Sequence, residues 1–187
     1  MTTEPAATPS PSQQSALLEG NARYLEHGVP GPLSITPKQR TVILSCVDPR
    51  VDPARILDLR EGDAAVIRNV GGRVTPAVMQ TMAMLQMITR ADAPDQPAAP
   101  SPADTWTFVV LQHTDCGITR LGDHPDLLAT YFGIDVDDVE SRNVTDPNAA
   151  VAGDVAQLNR TLAPQFIVVG MVHDLDTGRV RITDPTT

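Results

Sequence analysis

The order of the predicted elements indicates an α/β fold, with a mostly parallel central β-sheet flanked by helices and an antiparallel strand at one edge. Strand and helix patterns alternate along the chain, which favours parallel strands joined by right-handed crossovers. The strand segments are nearly continuous apolar runs, as expected for strands that are buried on both faces. The last segment, "RVRI", follows the turn "DLDTG" and is predicted to pair back as a hairpin.

The N-terminal residues 1–14 are rich in Pro, Thr, Ser and Ala and are predicted to form a disordered tail, because they offer little apolar surface for packing. A helix is expected over "SALLEGNARYLEHG", where leucines recur near helical spacing and Gly28 supplies a stop. We expect this helix to dock on the body or on a second subunit. Residues 15–187 are predicted to be a single domain, with a Pro/Ala-rich loop insertion at 91–104.

The first strand of the domain is predicted at "TVILSC" (41–46), a β-branched run that is apolar on both faces. A short helix is expected over "DPARILDL", because Asp52 is a good N-cap and Pro53 suits the first helical position. The helix "TPAVMQTMAMLQMITR" has a Met-rich face, which is more typical of core packing than of a cofactor site. In chain order, the other predicted elements are the strand "AAVIRNVGG", the helix "TPAVMQTMAMLQMITR", the strand "TWTFVVLQH", the helices "PDLLATYFG" and "DPNAAVAGDVAQLNRTL", and the strand "QFIVVGMVHD".

The composition excludes several classes of function. A net charge of −9 argues against nucleic acid or an anionic membrane as partner, because both need a basic footprint. No apolar run approaches the roughly 20 residues that span a bilayer, and the N-terminus lacks the basic and apolar regions of a signal peptide. We therefore expect a cytoplasmic protein. In that compartment its two cysteines are more typical of metal binding, catalysis or burial than of a disulfide.

Cysteine and histidine side chains follow two of the predicted strands. Cys46 ends the first strand, His113 ends the third, and Cys116 follows in the loop "HTDCG". Ligands gather beyond the carboxyl ends of the strands in open α/β sheets, so these three side chains converge if the two strands are neighbours. Two thiolates and one imidazole favour Zn²⁺. The alternatives are a small buried cysteine, a hydrogen-bonded core histidine, or a Cys46–Cys116 disulfide.

Asp48 and Arg50 lie directly behind the first candidate ligand, in "CVDPR". A carboxylate two residues from a zinc ligand can reach the metal or its water, and a guanidinium can hold that carboxylate away through a bidentate contact. Asp48 would then orient the water by accepting a hydrogen bond. The alternative is a surface ion pair worth less than about 1 kcal/mol.

With these motifs in place, the sequence resembles the β class of carbonic anhydrases. The resemblance is carried by "CVDPR" (46–50) and "HTDCG" (113–117), and it extends to "EGDAAVIRNVGG" (61–72) and "GMVHDLDTGRV" (170–180). It implies the fold of that family and a zinc lyase that hydrates CO₂ reversibly to bicarbonate and a proton, with hydroxide on the metal as nucleophile.

The same resemblance implies roles for individual residues. Cys46, His113 and Cys116 would hold one Zn²⁺ per chain, and Asp48 with Arg50 would form a gating dyad in which Asp48 can become a fourth ligand. A homodimer or a higher homo-oligomer is implied as well.

The sequence departs from the family pattern in three places. Pro49 stands where a small residue is usual, and proline restrains Asp48 to extended conformations. A glutamine that helps many members to bind substrate has no counterpart in "EHGVPGPLS". Gly72 stands where Asn is common, and Gly71 and Gly72 either bring backbone N–H groups near the substrate or only form a turn.

Two other functions stay open on the sequence alone. The first is hydrolysis of a related heteroallene, carbonyl sulfide or carbon disulfide, on the same site. The second is a non-catalytic zinc-binding module, although a structural zinc site usually has a fourth Cys or His ligand and the motifs offer none. Three further histidines are more typical of surface or packed residues than of a proton shuttle: His27, His124 and His173.

Overall fold

The computed structural model describes residues 11–28, 31–92 and 105–183. The N-terminal unit, residues 1–33, contains helix α1 (Pro11–Glu26). The sequence placed residues 11–14 in the tail, but α1 already includes them. Proline suits the first turn because its missing N–H would have no helical partner there. The rest of the predicted tail lies outside the described residues.

The second unit, residues 34–187, is built on a β-sheet. Among the described residues five strands form one sheet in the order β2-β1-β3-β4-β5. The first four strands of this order run parallel, and β5 pairs antiparallel to β4. This arrangement confirms the predicted fold class. The strands are β1 (Thr41–Cys46), β2 (Ala64–Asn69), β3 (Trp106–His113), β4 (Phe166–His173) and β5 (Val180–Thr183).

The α-helices described in this unit begin at prolines, as the sequence indicated. They are α2 (Pro53–Ile56), α3 (Pro76–Asp92), α4 (Pro125–Phe132) and α5 (Pro147–Thr161). Asp52 and Asp146 cap α2 and α5, each accepting a hydrogen bond from the backbone N–H two residues later. Helix α2 is shorter than expected, because Asp58 adopts a left-handed conformation with φ of 50° that a helix cannot continue.

The two central strands, β1 and β3, are buried on both faces, which explains their continuous apolar sequences. On one face, side chains of β1, β3 and β4 pack against α3 and α5 in the main core, which includes Leu44, Phe108 and Leu158. On the other face, a smaller cluster around Ile43, Val109 and Leu111 is covered by residues that follow α2. The sheet is therefore a rigid central layer that positions whatever its strand ends carry.

A buried ionic network joins the segment after β2 to α5. Asp154 is fully buried and accepts hydrogen bonds from Arg73 Nε at 2.7 Å and Arg142 Nη2 at 2.8 Å. It also accepts from the Val74 N–H and from Gln112 Nε2, both at 3.2 Å. Arg73 is only 1% exposed, so its charge depends on this carboxylate for compensation. This network was not predicted from the sequence.

The predicted insertion at 91–104 falls largely outside the described residues, and α3 includes its first two positions. None of the helices in the described ranges has both the length and the apolar character needed to cross a bilayer.

Candidate metal centre

Three side chains that the sequence selected meet at the carboxyl edge of the sheet. Cys46 is the last residue of β1 and His113 the last of β3, and these strands are parallel neighbours. Cys116 lies in the loop that follows β3, and its Sγ is 3.7 Å from Cys46 Sγ. One ligand atom from each of the three residues lies within 4.8 Å of the other two, and all three residues are buried. The structure therefore places two sulfurs and one imidazole around a common point.

The orientation of the His113 ring suits metal binding. Its Nδ1 lies 2.8 Å from the carbonyl oxygen of Thr114, which can only accept, so Nδ1 carries the proton. The other ring nitrogen, Nε2, is buried and has no hydrogen-bond partner within the described ranges. An unpartnered buried nitrogen next to two sulfurs is costly unless a cation or a proton occupies the space between them. The donor set thus fits a metal ion that prefers sulfur and nitrogen.

The two cysteines divide their protons unequally. The hydrogen bond from Cys116 lowers the pKa of Cys46 against the effect of burial, and contacts with His113 and the backbone N–H groups of Asp48 and Gly71 lower it further. The pKa of Cys116 is raised, first by the same sulfur–sulfur hydrogen bond and then by burial. A thiolate on Cys46 is therefore available, and a bound cation would favour ionisation of the second sulfur as well.

Asp48 and Arg50 form a close ion pair at the rim of the cluster. Arg50 donates to Asp48 through Nε at 3.0 Å, Nη2 at 2.8 Å and its backbone N–H at 2.9 Å. These contacts hold the pKa of Asp48 at about 2, with the Arg50 side chain as the main cause. Asp48 Oδ2 remains 4.0 Å from His113 Nε2. The carboxylate is thus paired with the guanidinium and faces the cluster.

Pro49 fits this geometry. The Val51 N–H donates to the Asp48 carbonyl oxygen at 3.0 Å, which closes a turn with Pro49 at its second position. Proline favours that position because its φ is already set, and aspartate favours the preceding one. The departure from the family pattern therefore stiffens the segment that carries the dyad.

Arg50 has a second carboxylate partner that the sequence analysis did not single out. Asp115 accepts from Arg50 Nη1 at 2.7 Å, and its backbone oxygen accepts from Nη2 at 2.9 Å. Arg50 thereby links the loop after β1 to the loop after β3. The available signal was the position of Asp115 between two candidate ligands, where any acidic side chain is close to the dyad.

The glycine pair lies against the cluster through its backbone. The Gly71 N–H points at Cys46 Sγ, 3.3 Å away. Gly72 has φ of 62°, and a Cβ there would lie 2.9 Å from the backbone of Ser45 and Cys46. Both glycines therefore have a packing role beside the first ligand. Their contact with substrate stays a prediction.

The other histidines lie in separate places. His173 is buried beside His113 in the paired strands β3 and β4, and burial, with the neighbouring His113, lowers its pKa. It also lines a pocket of about 750 Å³ together with Arg50 and Thr114. His124 is exposed before α4, and His27 lies just after α1 in the N-terminal unit.

The comparisons with known proteins agree with this geometry. The family model described as "Carbonic anhydrase" matches residues 41–130. The chain is 34% identical over 106 residues to "Beta-carbonic anhydrase 1" of Mycobacterium bovis and of Mycobacterium tuberculosis, which covers 57% of this chain and 56% of each relative. It is 30% identical over 106 residues to "Carbon disulfide hydrolase" of Saccharolobus solfataricus, covering 54% of this chain and 44% of the relative. The chain thus spans little more than half the length of the two mycobacterial relatives and less than half of the third relative.

Solved structures match along almost the whole chain. A carbonic anhydrase from Streptococcus mutans superposes with a TM-score of 0.67 at 27% identity, covering 95% of this chain and all of that one. A carbonic anhydrase from Glaciozyma antarctica superposes with a TM-score of 0.66 at 23% identity, over 94% of this chain and all of that one, and so supports the fold. Sequence, fold and the Cys-His-Cys cluster point the same way, and all three indicate similarity to the β-class carbonic anhydrases.

Proposed function

We propose that the protein is a zinc-dependent carbonic anhydrase, which hydrates CO₂ reversibly to bicarbonate and a proton. The observation that carries this proposal is the convergence of Cys46, His113 and Cys116 beside the ion pair of Asp48 and Arg50. Two sulfurs and one imidazole suit Zn²⁺, and catalytic zinc sites have three protein ligands where structural sites have four. The printed names of the relatives support the same activity.

The residues of the cluster would hold the ion. Cys46, His113 and Cys116 would be its ligands, with the His113 tautomer set by the Thr114 carbonyl. When bound, zinc supplies Lewis acidity, which lowers the pKa of water and so provides a nucleophile for CO₂ near neutral pH.

Asp48 would orient the reacting water. Its carboxylate stays ionised throughout the physiological range, so it can only accept a hydrogen bond, which selects one orientation of the donor. Arg50 and the turn at Pro49 hold this carboxylate in place before substrate arrives. Such positioning raises the reaction rate, because the reacting groups are already oriented before the reaction begins.

Metal analysis combined with stopped-flow CO₂ hydration tests the proposal. We expect one zinc per chain and CO₂ hydration in the purified protein. Asp48→Asn and Arg50→Ala should keep the metal and lose about 10²-fold or more in turnover, whereas Cys46→Ser should lose the metal. Asp52→Asn is the matched control, because asparagine also caps a helix and the site is unchanged.

The non-catalytic alternative gives a different pattern. If the chain only binds zinc, Asp48→Asn and Arg50→Ala change neither metal content nor any turnover. Purified protein that contains no metal and does not bind added zinc would refute both the carbonic anhydrase proposal and the zinc-binding alternative.

A second candidate function is hydrolysis of carbonyl sulfide or carbon disulfide. It is favoured by the similarity to the carbon disulfide hydrolase of Saccharolobus solfataricus, and the same cluster would serve it. Sulfide release from carbonyl sulfide, measured beside CO₂ hydration on the same preparation, separates the two. Sulfide release without CO₂ hydration would reverse our order of preference.

We also propose that the protein is a homo-oligomer. Helix α3 buries Met82 in the core, but Met84 is 58% exposed and Met87 72% exposed, so the expectation of a core role was wrong for these two. They lie three residues apart on one face of the helix, and adjacent exposed apolar side chains are typical of a surface that another chain covers. Light scattering after size exclusion tests this, and replacement of both methionines by glutamine should shift the mass toward that of a monomer.

A further inference from the structure

Arg68 binds the backbone of the loop that carries the first metal-ligand candidate. Its Nε donates to the carbonyl oxygen of Cys46 at 2.9 Å. Its Nη2 donates to the carbonyl oxygens of Asp48 at 2.8 Å and Val51 at 2.6 Å. One side chain thus contacts the segment at its beginning, middle and end.

The position of Arg68 follows from the register of the sheet. In the parallel pair of β1 and β2, Arg68 is opposite Ser45, one residue before Cys46. From the end of β2 the side chain therefore reaches the segment that leaves β1. A planar guanidinium with five N–H donors in fixed directions can bind several carbonyls at once, which a lysine ammonium on a flexible stem does less well.

These carbonyls belong to the residues on which the chemistry depends. Cys46 is a candidate ligand, and Asp48 carries the carboxylate that faces the cluster. The Asp48 carbonyl also accepts from the Val51 N–H and closes the turn. Arg50 restrains the Asp48 side chain, whereas Arg68 restrains its main chain.

We infer that Arg68 is a positioning residue for the reaction, whose guanidinium fixes residues 46–51 so that the Cys46 sulfur and the Asp48 carboxylate keep their directions. The inference rests on the proposed function. Displacement of a reacting group by about 1 Å can cost about 10²-fold in rate, so loss of this contact should affect catalysis more than folding.

The test compares four proteins: the wild type, Arg68→Ala, Arg68→Lys and the control Arg55→Ala. Arg55 is an exposed arginine on α2, and its side chain makes no hydrogen bond within the described residues. Its replacement by alanine removes the same single positive charge as Arg68→Ala. Each protein is loaded with Co²⁺ for its visible absorption spectrum and with Zn²⁺ for stopped-flow CO₂ hydration. Metal content and the urea midpoint are measured on the same samples.

We expect Arg68→Ala to bind one metal per chain, to show an altered Co²⁺ spectrum, and to lose at least tenfold in kcat with KM changed less than twofold. Arg68→Lys should not restore the spectrum, and Arg55→Ala should match the wild type. If Arg68→Ala does not fold, Arg68→Gln, whose amide cannot reach all these carbonyls together, replaces it in the comparison.

A lowered urea midpoint with an unchanged Co²⁺ spectrum and unchanged kcat would overturn the inference, because Arg68 would then be only structural. Full rescue by Arg68→Lys would overturn it too. A wild type that hydrates no CO₂, together with an altered Co²⁺ spectrum in Arg68→Ala, would refute the proposed function and support the positioning of the metal ligand.

Discussion

Replacement of Asp154 by alanine is expected to be among the most damaging single changes to this fold. The substitution leaves Arg73, whose side chain is 2% exposed, without a counterion, whereas Arg142 at 15% can be partly rehydrated. Removal of one partner from a buried ion pair costs about 3–5 kcal/mol. The Val74 N–H loses its acceptor as well. We therefore expect Asp154→Ala to lower the free energy of unfolding by about 4 kcal/mol, a large share of the roughly 5–15 kcal/mol of a typical domain.

Urea denaturation followed by fluorescence of the single tryptophan, Trp106, measures this loss. With a slope of about 2 kcal/mol per molar urea, the midpoint should fall by about 2 M. Asp154→Asn should cost less, because its oxygen still accepts from one arginine. Glu140→Ala, which removes an exposed acidic side chain, should stay within about 0.5 kcal/mol of the wild type.

A double-mutant cycle identifies the cause. The Arg73→Met background lacks the buried guanidinium that has Asp154 as its counterion. In that background Asp154→Ala should therefore lower the free energy of unfolding by at least about 2 kcal/mol less than it does in the wild type. An equal cost in both backgrounds, or a midpoint within about 0.5 M of the wild type for Asp154→Ala itself, would refute the reasoning.

Three further predictions concern the surroundings of the metal centre. Gly72→Ala should lower the free energy of unfolding by about 2–4 kcal/mol and reduce metal content, because the left-handed backbone and the close contact with Cys46 both oppose a Cβ; denaturation and metal analysis check this. The pKa of His173 is lowered in the folded protein from its ordinary value of about 6.5. The unfolded chain therefore binds more protons than the folded chain as the pH falls through that value. The free energy of unfolding should fall from pH 7 to 5 more steeply in the wild type than in His173→Gln. Removal of zinc by a chelator should lower the calorimetric Tm, by the equivalent of about 2.7 kcal/mol where free zinc had been 100 times its Kd.

Each of these has a control and an opposing outcome. Gly153 lies within α5 with open space around it, so Gly153→Ala should stabilise by about 0.4–1 kcal/mol, and equal losses at both glycines would remove the steric argument. Identical pH slopes for the wild type and His173→Gln would mean that another group is responsible. Cys46→Ser should show the same Tm with and without chelator, and a chelator effect there would place the metal elsewhere.

Several elements could be predicted from local sequence alone. Asp52-Pro53 and Asp146-Pro147 mark helix starts because a side-chain cap and a preset φ act within one turn. The apolar run of β1 identified a strand that is buried on both faces. The end of α2 was harder to predict from the sequence, because Asp58 adopts its left-handed conformation in the context of the turn that follows.

Part of the candidate site could also be predicted from the sequence. Cys46, His113 and Cys116 were selected because their types and their places at strand ends suit a metal, and the structure brings them together. Asp115 and Arg68 were missed. Asp115 was marked only by its place between two candidate ligands, and Arg68 had no distinctive spacing. Asp115 meets Arg50 across 65 residues of sequence, and Arg68 meets its partners across 17–22.

The sequence by itself determined the order of strands and helices, the caps and the identity of the donor atoms, because propensity, capping and ligand chemistry are properties of short segments. The tertiary structure alone decided that β1 and β3 are neighbours, that Nε2 of His113 faces the sulfurs, and that Arg73 finds its counterion on α5. These contacts join residues distant along the chain, and packing of the whole sheet, rather than any local preference, selects them.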